Sequence, residues 1–411
     1  MSARLDRDAL RALLKRPGVA RVLAALAAPG EETRLVGGAV RDTLLGLPVS
    51  DMDLATTLTP EAVFAAASGA GLRSIPTGIE HGTITLLADS ETFEVTTLRE
   101  DVETDGRHAV VRFGRDFTRD AERRDFTVNA LSLAGDGTLH DPVGGLPDLE
   151  AGRVRFIGDP ATRIREDALR ILRFFRFHAR YGFGAPDAAG LAACVEAREA
   201  PARLSRERIR AEILKLLAAP GAVAAVVVLS DTGLLQRLLG GIGDGGRLGR
   251  AVAAGLPPIL RLAALCVWSV EDADRLRERL RLSKAEHAQL HAHARALAAL
   301  LDPVEIGERR MRALTAEHGA AGIAAALAVL DGGARPALTG EARRNLEESK
   351  EAPPPALPLG GGDLVARGVT PGPAIGRGLA SARALWLSLG CPVDAAARER
   401  LIAAALEAAS R

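Results

Sequence analysis

Aromatic residues make up only 3% of the 411 positions in the sequence. A chain with so few rings is a poor candidate for recognising nucleic acid through many stacked bases. Cysteine is also scarce, and Cys194, Cys266 and Cys391 lie far apart and in no metal-binding spacing. This pattern argues against a disulfide framework or a thiolate metal site, and it predicts a protein of the reducing cytoplasm.

Long apolar runs and a targeting segment are also missing. The longest apolar stretches, residues 222–229 and 320–330, are far shorter than the roughly 20 residues that a membrane helix needs. Near Arg4 acidic and basic side chains alternate, and no apolar segment follows them. The sequence therefore predicts no membrane partner. With 47% apolar and 26% charged residues, its composition is that of an ordinary soluble globular protein.

The net charge is close to balance at +1, so the chain as a whole is not a strongly basic nucleic-acid binder. The charge is unevenly distributed, because residues 153–215 carry 14 Lys or Arg against 8 Asp or Glu. A local basic stripe suits contact with phosphate groups, although a solvated helical surface would have the same composition. The choice between the two depends on whether a catalytic site lies beside the stripe.

The pattern along the chain changes near residue 150. Before it, short β-type runs alternate with helical ones, and after it helical segments rich in Ala, Leu and Arg follow one another. The predicted strands are Thr33–Val36, Met52–Ala55, Gly82–Ala88 and Thr92–Leu98, and the predicted helices among them are Ala39–Leu45 and Pro60–Gly69. The expected fold class is α+β, with an α/β head followed by an all-α remainder.

The domain boundaries follow from the same pattern. We predict a head over residues 1–150, a helical neck over 151–220 and a helical body over 221–350. A Pro/Gly-rich linker, EAPPPALPLGGG, separates the body from a helical tail over 363–411. Within the head, the segment Arg99–Asp120 is highly charged and weakly periodic, and we predict a mobile loop there.

The stretch LVGGAVRDTLLGLPVSDMDLATT begins with a strand that runs into Gly37 and Gly38, and a helix follows at once. Such a turn exposes backbone N–H groups to a triphosphate, within reach of Arg41. A plain tight turn would have the same sequence.

Asp51 and Asp53 favour the functional interpretation. In a strand, residues i and i+2 face the same side, roughly 7 Å apart, and two such carboxylates can bind one or two Mg²⁺ ions. Two-metal nucleotidyl transfer uses metals about 4 Å apart to activate a 3′-hydroxyl and to hold the leaving pyrophosphate. Asp-x-Asp alone is common in solvated turns. The glycine turn that precedes it favours a metal-binding pair over a solvated one.

Arginine-rich motifs follow further along the chain. In RRDFTVNAL, Arg124 has the chemistry for a phosphate or sugar contact, or for a salt bridge at a helix start. Residues 158–183 predict one continuous helix, capped by Asp159, with an apolar face and a charged face. The charged face carries Asp167, Arg170, Arg173 and Arg176.

The spacing of these charges bears on base recognition. Each step of three residues turns a side chain by about 60°, so Asp167 and Arg170 are predicted to be neighbours, while Arg176 points about 180° away from Asp167. A fixed carboxylate and guanidinium offer an acceptor and donors that can read a base edge. An ordinary ion pair would have the same spacing.

In their order and spacing, GGAVRDTLLG…DMDL, RRDFTVNAL, DPVGGLPDLEAGRVRFIG and REDALRILRFFRF resemble the class II tRNA nucleotidyltransferase and bacterial poly(A) polymerase family, most of all its bacterial CCA-adding members. LSRERIRAEILKLL, residues 204–217, is similar to that family's RNA-binding segment. The resemblance covers residues 33–215. It implies a polymerase-beta-like nucleotidyltransferase head with a small mixed sheet and helices.

The resemblance also implies a role for each matching residue. Asp51 and Asp53 correspond to the metal-binding catalytic carboxylates, with Glu94 as a candidate third. Asp167 and Arg170 correspond to the pair that reads cytosine or adenine in place of a template. Further nucleotide contacts are implied for Gly37, Gly38, Arg41, Arg124, Arg173 and Arg176. The segment Arg99–Asp120 corresponds to a flexible loop implicated in the switch from C to A addition.

The implied activity is template-independent addition of C, C and A to the tRNA 3′ end from CTP and ATP, with Mg²⁺ as cofactor. Poly(A) synthesis and partial CC or A addition stay open, although we find no basic Arg-Arg-Phe stretch followed by His-Val, which looks diagnostic of bacterial poly(A) polymerases. A small-molecule transferase would hardly need the long basic helical remainder. A non-catalytic tRNA-binding protein would not need the intact carboxylates.

A cluster of histidines lies outside these motifs. His287, His291 and His293 have near-helical spacing beside Glu286, but no Asp, Glu or Cys motif completes a metal-binding set. We interpret them as surface or packing histidines.

Overall fold

The computed structural model of the chain describes residues 3–78, 82–105, 108–333 and 336–410, with no account of the side chains of residues 77–78, 100–105 and 108–112. It divides into two compact units. The first comprises Met1–Leu204 with Ala219–Gly221, and the second comprises Ser205–Ala218 with Ala222–Arg411. The four-part division into head, neck, body and tail stays a prediction.

The first unit is built on a seven-stranded mixed sheet. Its strands are β1 (Thr33–Val36), β2 (Met52–Thr56), β3 (Arg73–Gly78), β4 (Thr83–Ala88), β5 (Glu91–Thr97), β8 (Ser132–Ala134) and β9 (Leu139–His140). Their order is β3-β4-β5-β2-β1-β8-β9. β2 and β5 are parallel, whereas the other neighbouring pairs are antiparallel. The expected small mixed sheet is confirmed.

The segment Arg99–Asp120 differs from the predicted loop. Its backbone forms an antiparallel hairpin of β6 (Arg99–Asp105) and β7 (His108–Phe113), while residues 106–107 lie outside the described part of the chain. A helix, Phe117–Glu122, follows, and the Asp116 carboxylate caps its first turn. Charge on both strands hides the alternation by which a half-buried hairpin is normally detected, and this explains the error.

Nine α-helices accompany the sheet in the described part of the first unit. They are α1 (Arg7–Leu14), α2 (Pro17–Ala25), α3 (Gly38–Leu44), α4 (Pro60–Gly69), α5 (Phe117–Glu122), α6 (Gly145–Glu150), α7 (Pro160–Glu166), α8 (Leu169–Tyr181) and α9 (Ala188–Glu196), with 3₁₀ turns at Thr127–Asn129 and Ala200–Arg203. Side-chain caps fix several of their starts: Asp6 precedes α1, Thr59 precedes α4 and Asp159 precedes α7.

The predicted continuous helix over residues 158–183 is wrong in one respect, because it is broken at Asp167. The backbone there is extended (φ −149°, ψ 108°), which ends α7. The Asp167 carboxylate accepts a hydrogen bond of 3.0 Å from the Leu169 N–H and so caps the start of α8. Asp167 therefore precedes the helix that carries Arg170, and the predicted angular relations between Asp167, Arg170 and Arg176 lose their basis.

The aromatic residues that the sequence does have are concentrated around α8. Phe174 stacks on Phe156 with ring centroids 5.5 Å apart, and Phe126 lies 4.9 Å from Phe156. Phe177 in turn stacks on Tyr181 at 5.8 Å. These rings hold α8 against the segment that runs from Phe126 to Phe156, so the helix has a fixed position within the first unit.

The second unit is helical. Its helices are α10 (Arg206–Ala218), α11 (Ala222–Asp231), α12 (Leu234–Leu239), α13 (Gly245–Ala253), α14 (Pro258–Cys266), α15 (Val270–Leu280), α16 (Lys284–Leu301), α17 (Glu308–His318), α18 (Ala320–Leu330), α19 (Gly340–Glu351), α20 (Gly361–Val365), α21 (Pro373–Ser388) and α22 (Ala395–Ala409). A short parallel pair, β10 (Glu305–Ile306) and β11 (Ala337–Leu338), interrupts the predicted all-α pattern.

Two apolar clusters organise the second half of this unit. One is formed by α16 to α19 around Leu297, Met311 and Leu314. The other includes Trp386 and Leu401 of the predicted tail. In the described ranges no single helix is long and apolar enough to cross a membrane, and α17 with α18 passes that test only as a pair bent by 114°.

The DPVGG motif is used to build the first unit. The Asp141 carboxylate accepts from the backbone N–H groups of Gly145 (2.6 Å) and Leu146 (2.9 Å) and thereby fixes the start of α6. Asp148 is fully buried, and it accepts from the Thr127 hydroxyl and from two arginines, Arg153 and Arg155, at 2.6–2.9 Å. Because three donors satisfy its charge, the buried Asp148 carboxylate stabilises the RRDFTVNAL segment, to which Thr127 belongs.

We predict that Gly145→Ala destabilises the protein, because an added Cβ would lie 2.9 Å from the Thr127 carbonyl carbon and closer still to its oxygen. The expected loss is about 1–3 kcal/mol in the free energy of unfolding. Gly69→Ala is the matched control, since nothing lies within 4 Å of an added Cβ there. Urea unfolding of both variants checks this, and equal midpoints would contradict the crowding argument.

Candidate active site

Three carboxylates lie near the centre of the sheet, close enough for the charges of two of them to act on the third. The parallel register of β2 and β5 places Asp53 directly opposite Glu94, and side chains opposite each other in neighbouring strands share a face. Asp51 stands two residues before Asp53, immediately ahead of β2, and accepts a 3.0 Å hydrogen bond from the Ser50 hydroxyl. The predicted pair and the candidate third carboxylate therefore belong to one cluster.

The electrostatics of this cluster favour a bound cation. Burial raises the pKa of Asp53, and the nearby negative charges of Glu94 and, to a smaller extent, Asp51 raise it further, while Arg124 acts in the opposite direction. Asp53 is half-buried, whereas Asp51 and Glu94 are exposed. A half-buried carboxylate repelled by two others has the charge and the all-oxygen donor set that a hard divalent ion such as Mg²⁺ requires.

The glycine turn lies beside this cluster. Gly37 has φ +63° and ψ −118°, a conformation that L side chains rarely adopt. An added Cβ there would also lie 2.9 Å from Nη1 of Arg124. The Arg124 guanidinium is held in place by the Asp120 carboxylate (3.0 and 3.2 Å) and by the Asn129 carbonyl (3.3 Å). Gly37 thus gives Arg124 room next to the start of α3.

Arg41 is used inside the protein. Its side chain is buried, with the residue 6% exposed. Nε donates to Asp42 (2.8 Å), Nη1 to the side-chain oxygen of Asn129, and Nη2 to the Tyr181 hydroxyl (2.6 Å). Gly38 lies alongside, where an added Cβ would be 3.6 Å from Nη2. The predicted nucleotide contact of Arg41 stays a prediction, and its observed bonds join α3 to α8.

Asn129 connects its hydrogen bond with Arg41 to a longer chain of side-chain hydrogen bonds. Its amide donates to Asp125 Oδ1 at 2.9 Å, and Asp125 Oδ2 accepts from Arg173 Nε at 2.6 Å. Asp125 and Asn129 are both buried, so the bond between them is shielded from water, whereas Arg173 at the end of the chain is partly exposed. The chain starts on α8 at Arg173, passes through the RRDFTVNAL motif to Arg41 on α3, and returns to α8 at Tyr181.

Arg176 belongs to the same neighbourhood. Its guanidinium carbon lies 4.2 Å from the centre of the Phe177 ring, and those of Arg41 and Arg173 lie 5.3 Å from the same ring. Three guanidinium groups around the Phe177 ring form an arginine-rich patch, in which Asp42 pairs with Arg41 and Asp125 pairs with Arg173. Arg173 and Arg176 are both partly exposed, which makes this patch accessible from outside.

Asp167 and Arg170 lie where α7 gives way to α8. Arg170 Nη1 donates to the Arg163 carbonyl (3.0 Å) and pairs with the Glu166 carboxylate, so its fork is held by α7. Asp167 is fixed by its cap on α8. Both side chains are half-buried. The junction thus presents a carboxylate and a guanidinium in fixed positions. They are held by the break between two helices, and not by one face of a continuous helix as predicted.

Sequence reasoning missed the residues that hold the others in place. Asp120, Asp125, Asn129 and Glu166 orient predicted site residues, and Tyr181 closes the chain from Arg41. One signal was available: Tyr181 is the single tyrosine in the chain. The partners of Arg41 lie 88 and 140 residues away, a separation that local patterns do not reveal.

Comparison with known proteins gives consistent matches. Residues 33–155 match the family described as Poly A polymerase head domain, and residues 190–242 match the one described as Probable RNA and SrmB-binding site of polymerase A. The CCA-adding enzyme of Limosilactobacillus fermentum is 34% identical over 370 residues, which are 87% of this chain and 89% of that protein. The mitochondrial CCA tRNA nucleotidyltransferase 1 of Danio rerio is 43% identical over 62% of this chain.

The extent of the match differs between relatives. The alignments span 61% of the Danio rerio protein and 44% of its Homo sapiens counterpart, which is 49% identical over 45% of this chain. Among solved structures, the Bacillus stearothermophilus CCA-adding enzyme in complex with CTP is 26% identical, with a TM-score of 0.71 over 90% of this chain and 93% of that one. The Thermotoga maritima CCA-adding enzyme complexed with tRNA_CCA shares the fold, with a TM-score of 0.64 at 19% identity over 94% of this chain and 98% of that one.

The crowding of the three carboxylates generates a prediction about stability. Because the folded pKa of Asp53 is raised, the folded state binds its proton more tightly than the unfolded state does. The stability contributed by the protonated form is present below the unfolded pKa of about 3.9 and is lost as pH rises through the folded pKa. Asp53→Asn should therefore be more stable than the parent at pH 7, by on the order of 1 kcal/mol, with the difference vanishing at low pH.

Thermal unfolding in metal-free buffer at several pH values measures this difference. Asp8→Asn is the control, because Asp8 is an exposed carboxylate of the same unit that faces a cation, Arg11 at 3.5 Å. That variant should show no gain at pH 7. A parent protein as stable as Asp53→Asn at pH 7 would show that the cluster is not under electrostatic strain.

Proposed function

The chain belongs to the CCA-adding enzyme family, and we propose that it adds C, C and A to the 3′ end of tRNA, using CTP and ATP as donors. The observation that carries this proposal is the cluster of Asp51, Asp53 and Glu94 beside Arg124. In each step the terminal 3′-oxygen would bond to the α-phosphorus of the nucleotide. The bond to the β-phosphate would break, and pyrophosphate would leave.

Nucleotidyl transfer in this family depends on a metal ion, and we infer that the ion is Mg²⁺. Asp51 and Asp53 would bind it, with Glu94 as a third ligand or as an electrostatic partner. When bound, such an ion lowers the pKa of the attacking hydroxyl and neutralises charge on the triphosphate. The raised pKa of Asp53 supports this assignment, since the cluster has excess negative charge that the protein offsets only in part.

The arginines supply charge of the opposite sign for the nucleotide. Arg124 is held beside the glycine turn, close enough to lower the pKa of Asp53. Arg173 and Arg176 form the accessible part of the patch on Phe177. Guanidinium forks bind phosphate oxygens in a bidentate manner. We therefore assign the triphosphate to this side of the cluster, with Arg41 as a positioning residue beneath it.

Base choice is assigned to the junction of α7 and α8. Cytosine and adenine both present an exocyclic amine next to a ring nitrogen that accepts hydrogen bonds. A carboxylate such as Asp167 can accept a hydrogen bond from the amine, and the Arg170 guanidinium can donate one to the ring nitrogen. Uracil and guanine present a carbonyl where the amine would be. The cap on α8 and the bonds to Glu166 and Arg163 hold both side chains in place.

Two further assignments extend the proposal. The hairpin of β6 and β7 corresponds to the loop implicated in changing from C to A addition, and a hairpin can move as one piece about its base at Arg99 and Phe113.

The location of the protein in the cytoplasm stays a prediction, which rests on its few cysteines. Poly(A) synthesis and partial CC or A addition are the alternatives, because each uses the same carboxylates.

One experiment separates these activities. Incubating the protein with tRNA transcripts that lack the final three, two or one nucleotides, in the presence of labelled CTP and ATP, gives products of defined length. Full CCA addition predicts restoration of all three ends and then a stop. A continuing adenosine ladder would indicate poly(A) synthesis, and a stop after CC would indicate partial addition.

We predict that Asp51→Asn and Asp53→Asn each lower nucleotide incorporation by roughly 10²-fold or more, because each removes a metal ligand from the reacting centre. Binding of tRNA, measured by filter retention, should stay near the parent value, since it depends on contacts to the RNA backbone elsewhere. Asp136→Asn, an exposed turn carboxylate, is the control. Near-parent turnover in both site variants would overturn the two-metal assignment.

We predict that Asp167→Ala narrows the preference for CTP and ATP over UTP and GTP by roughly tenfold, because the lost acceptor contributes about 1–3 kcal/mol of discrimination. The variant also loses a helix cap, so Asp159→Ala is the matched control: Asp159 caps α7 through Thr162 at 2.8 Å and has no proposed base contact. Competition among all four nucleotides measures the preference. Equal discrimination in the two variants would mean that base choice resides elsewhere.

A further inference from the structure

Three potential metal ligands converge on helices α15 and α16 of the second unit. His287 and His291 are one turn apart on α16, and Asp274 lies on α15. Nε2 of His287 is 2.7 Å from Oδ1 of Asp274, and Nε2 of His291 is 3.2 Å from the same oxygen. The three ligand atoms all lie within 4.8 Å of one another. Asp274, from the neighbouring helix, thus supplies an acidic ligand that the local sequence around the histidines did not reveal.

The spacing is close to that of a zinc site. With Zn–N and Zn–O bonds of about 2.0–2.2 Å, ligand atoms in a tetrahedral site lie roughly 3.3–3.4 Å apart. The observed N–O distances are 2.7 Å for His287 and 3.2 Å for His291. The first is shorter than this spacing by roughly 0.6 Å and the second by roughly 0.1 Å, changes that side-chain rotation can supply. The imidazole rings have centroids 4.7 Å apart and are inclined at 64°, so neither ring blocks the other.

The chemistry of the trio also fits a borderline metal. With both histidines bonded to one carboxylate oxygen, each Nε2 must carry a hydrogen, and one oxygen receives two donors. A cation would use the same three atoms once each ring has changed tautomer, with the hydrogen carried by Nδ1 and the Nε2 lone pair free for the metal. Two imidazoles and one carboxylate suit zinc, cobalt or nickel better than magnesium, which prefers oxygen ligands alone.

The scaffold holds these ligands ready. Ser283 and Glu286 form a capping box at the start of α16, one residue before His287. The side chain of His287 is 16% exposed and that of Asp274 58% exposed. The inner ligand is therefore fixed by packing, while the outer side stays open for a water molecule as fourth ligand.

We propose that Asp274, His287 and His291 form a zinc-type metal site that joins α15 to α16 and uses none of the carboxylates of the first unit. Its role is structural: the ion bridges two consecutive helices across the turn at residues 281–283. This function is independent of nucleotidyl transfer, so the site can be tested whether or not the proposed activity is correct.

The test is a titration of the metal-free 411-residue chain with Zn²⁺ against a chromogenic chelator. The Asp53→Asn background removes a ligand of the other metal cluster. We expect one Zn²⁺ per chain, with affinity at least tenfold lower in His287→Ala and in His291→Ala. His318→Ala is the matched control, because His318 faces a single carboxylate, Glu317 at 3.7 Å. Its affinity should equal that of the background.

Thermal unfolding provides a second reading. Zn²⁺ should raise the midpoint of the background protein and of His318→Ala but leave that of His287→Ala unchanged. Should His287→Ala fail to fold, Asp274→Asn keeps the size of the side chain and should show the same loss of affinity. Absence of stoichiometric binding, or binding that is unchanged in both His287→Ala and Asp274→Asn, would overturn the proposal.

Discussion

The buried guanidinium of Arg41 constrains much of the first unit. A charge that is removed from water needs partners, and breaking such a set by deleting one of them costs about 3–5 kcal/mol. The partners of Arg41 come from three places: Asp42 on its own helix, Asn129 in the RRDFTVNAL motif, and Tyr181 at the end of α8. To satisfy that one side chain, the glycine turn, the motif and the helix must keep one relative position. Arg124 lies in that motif, and Arg170 and Arg173 lie on that helix, so the arginines proposed to contact the nucleotide are attached to the same elements.

Several residues with catalytic appearance serve this framework instead. The Asp141 carboxylate, in the DPVGG motif, fixes the start of α6, and the buried Asp148 holds the Thr127 hydroxyl under the RRDFTVNAL segment. Asp125 receives Asn129 and Arg173 at once. A motif can therefore contain charged residues that support a site rather than act in it. Asp141 and Asp148 are not assigned to chemistry, because backbone N–H groups, a hydroxyl and two arginines already satisfy them within the protein.

Elements that depend on local pattern were predictable, and those that depend on distant partners were not. β1 and α4 have the predicted bounds, because alternation, Gly37 and the Thr59-Pro60 cap are local signals. The break at Asp167 went unseen because apolar residues keep helical spacing across it. The burial of Arg41 and the approach of Asp274 to two histidines arise from residues that fold together from far apart in the sequence. Periodicity carries no information about such contacts.

The contrast between Asp148 and Asp53 shows how the structure separates support from chemistry. Asp148 is more deeply buried, yet a hydroxyl and two guanidinium groups surround it, so its negative charge is matched by the protein. Asp53 faces Glu94 and Asp51, and among the residues described only the charge of Arg124 opposes the raised pKa. Folding alone gains nothing from three neighbouring carboxylates that repel one another. On the function proposed above, the missing positive charge is supplied from outside the chain, by the metal ion on which nucleotidyl transfer in this family depends.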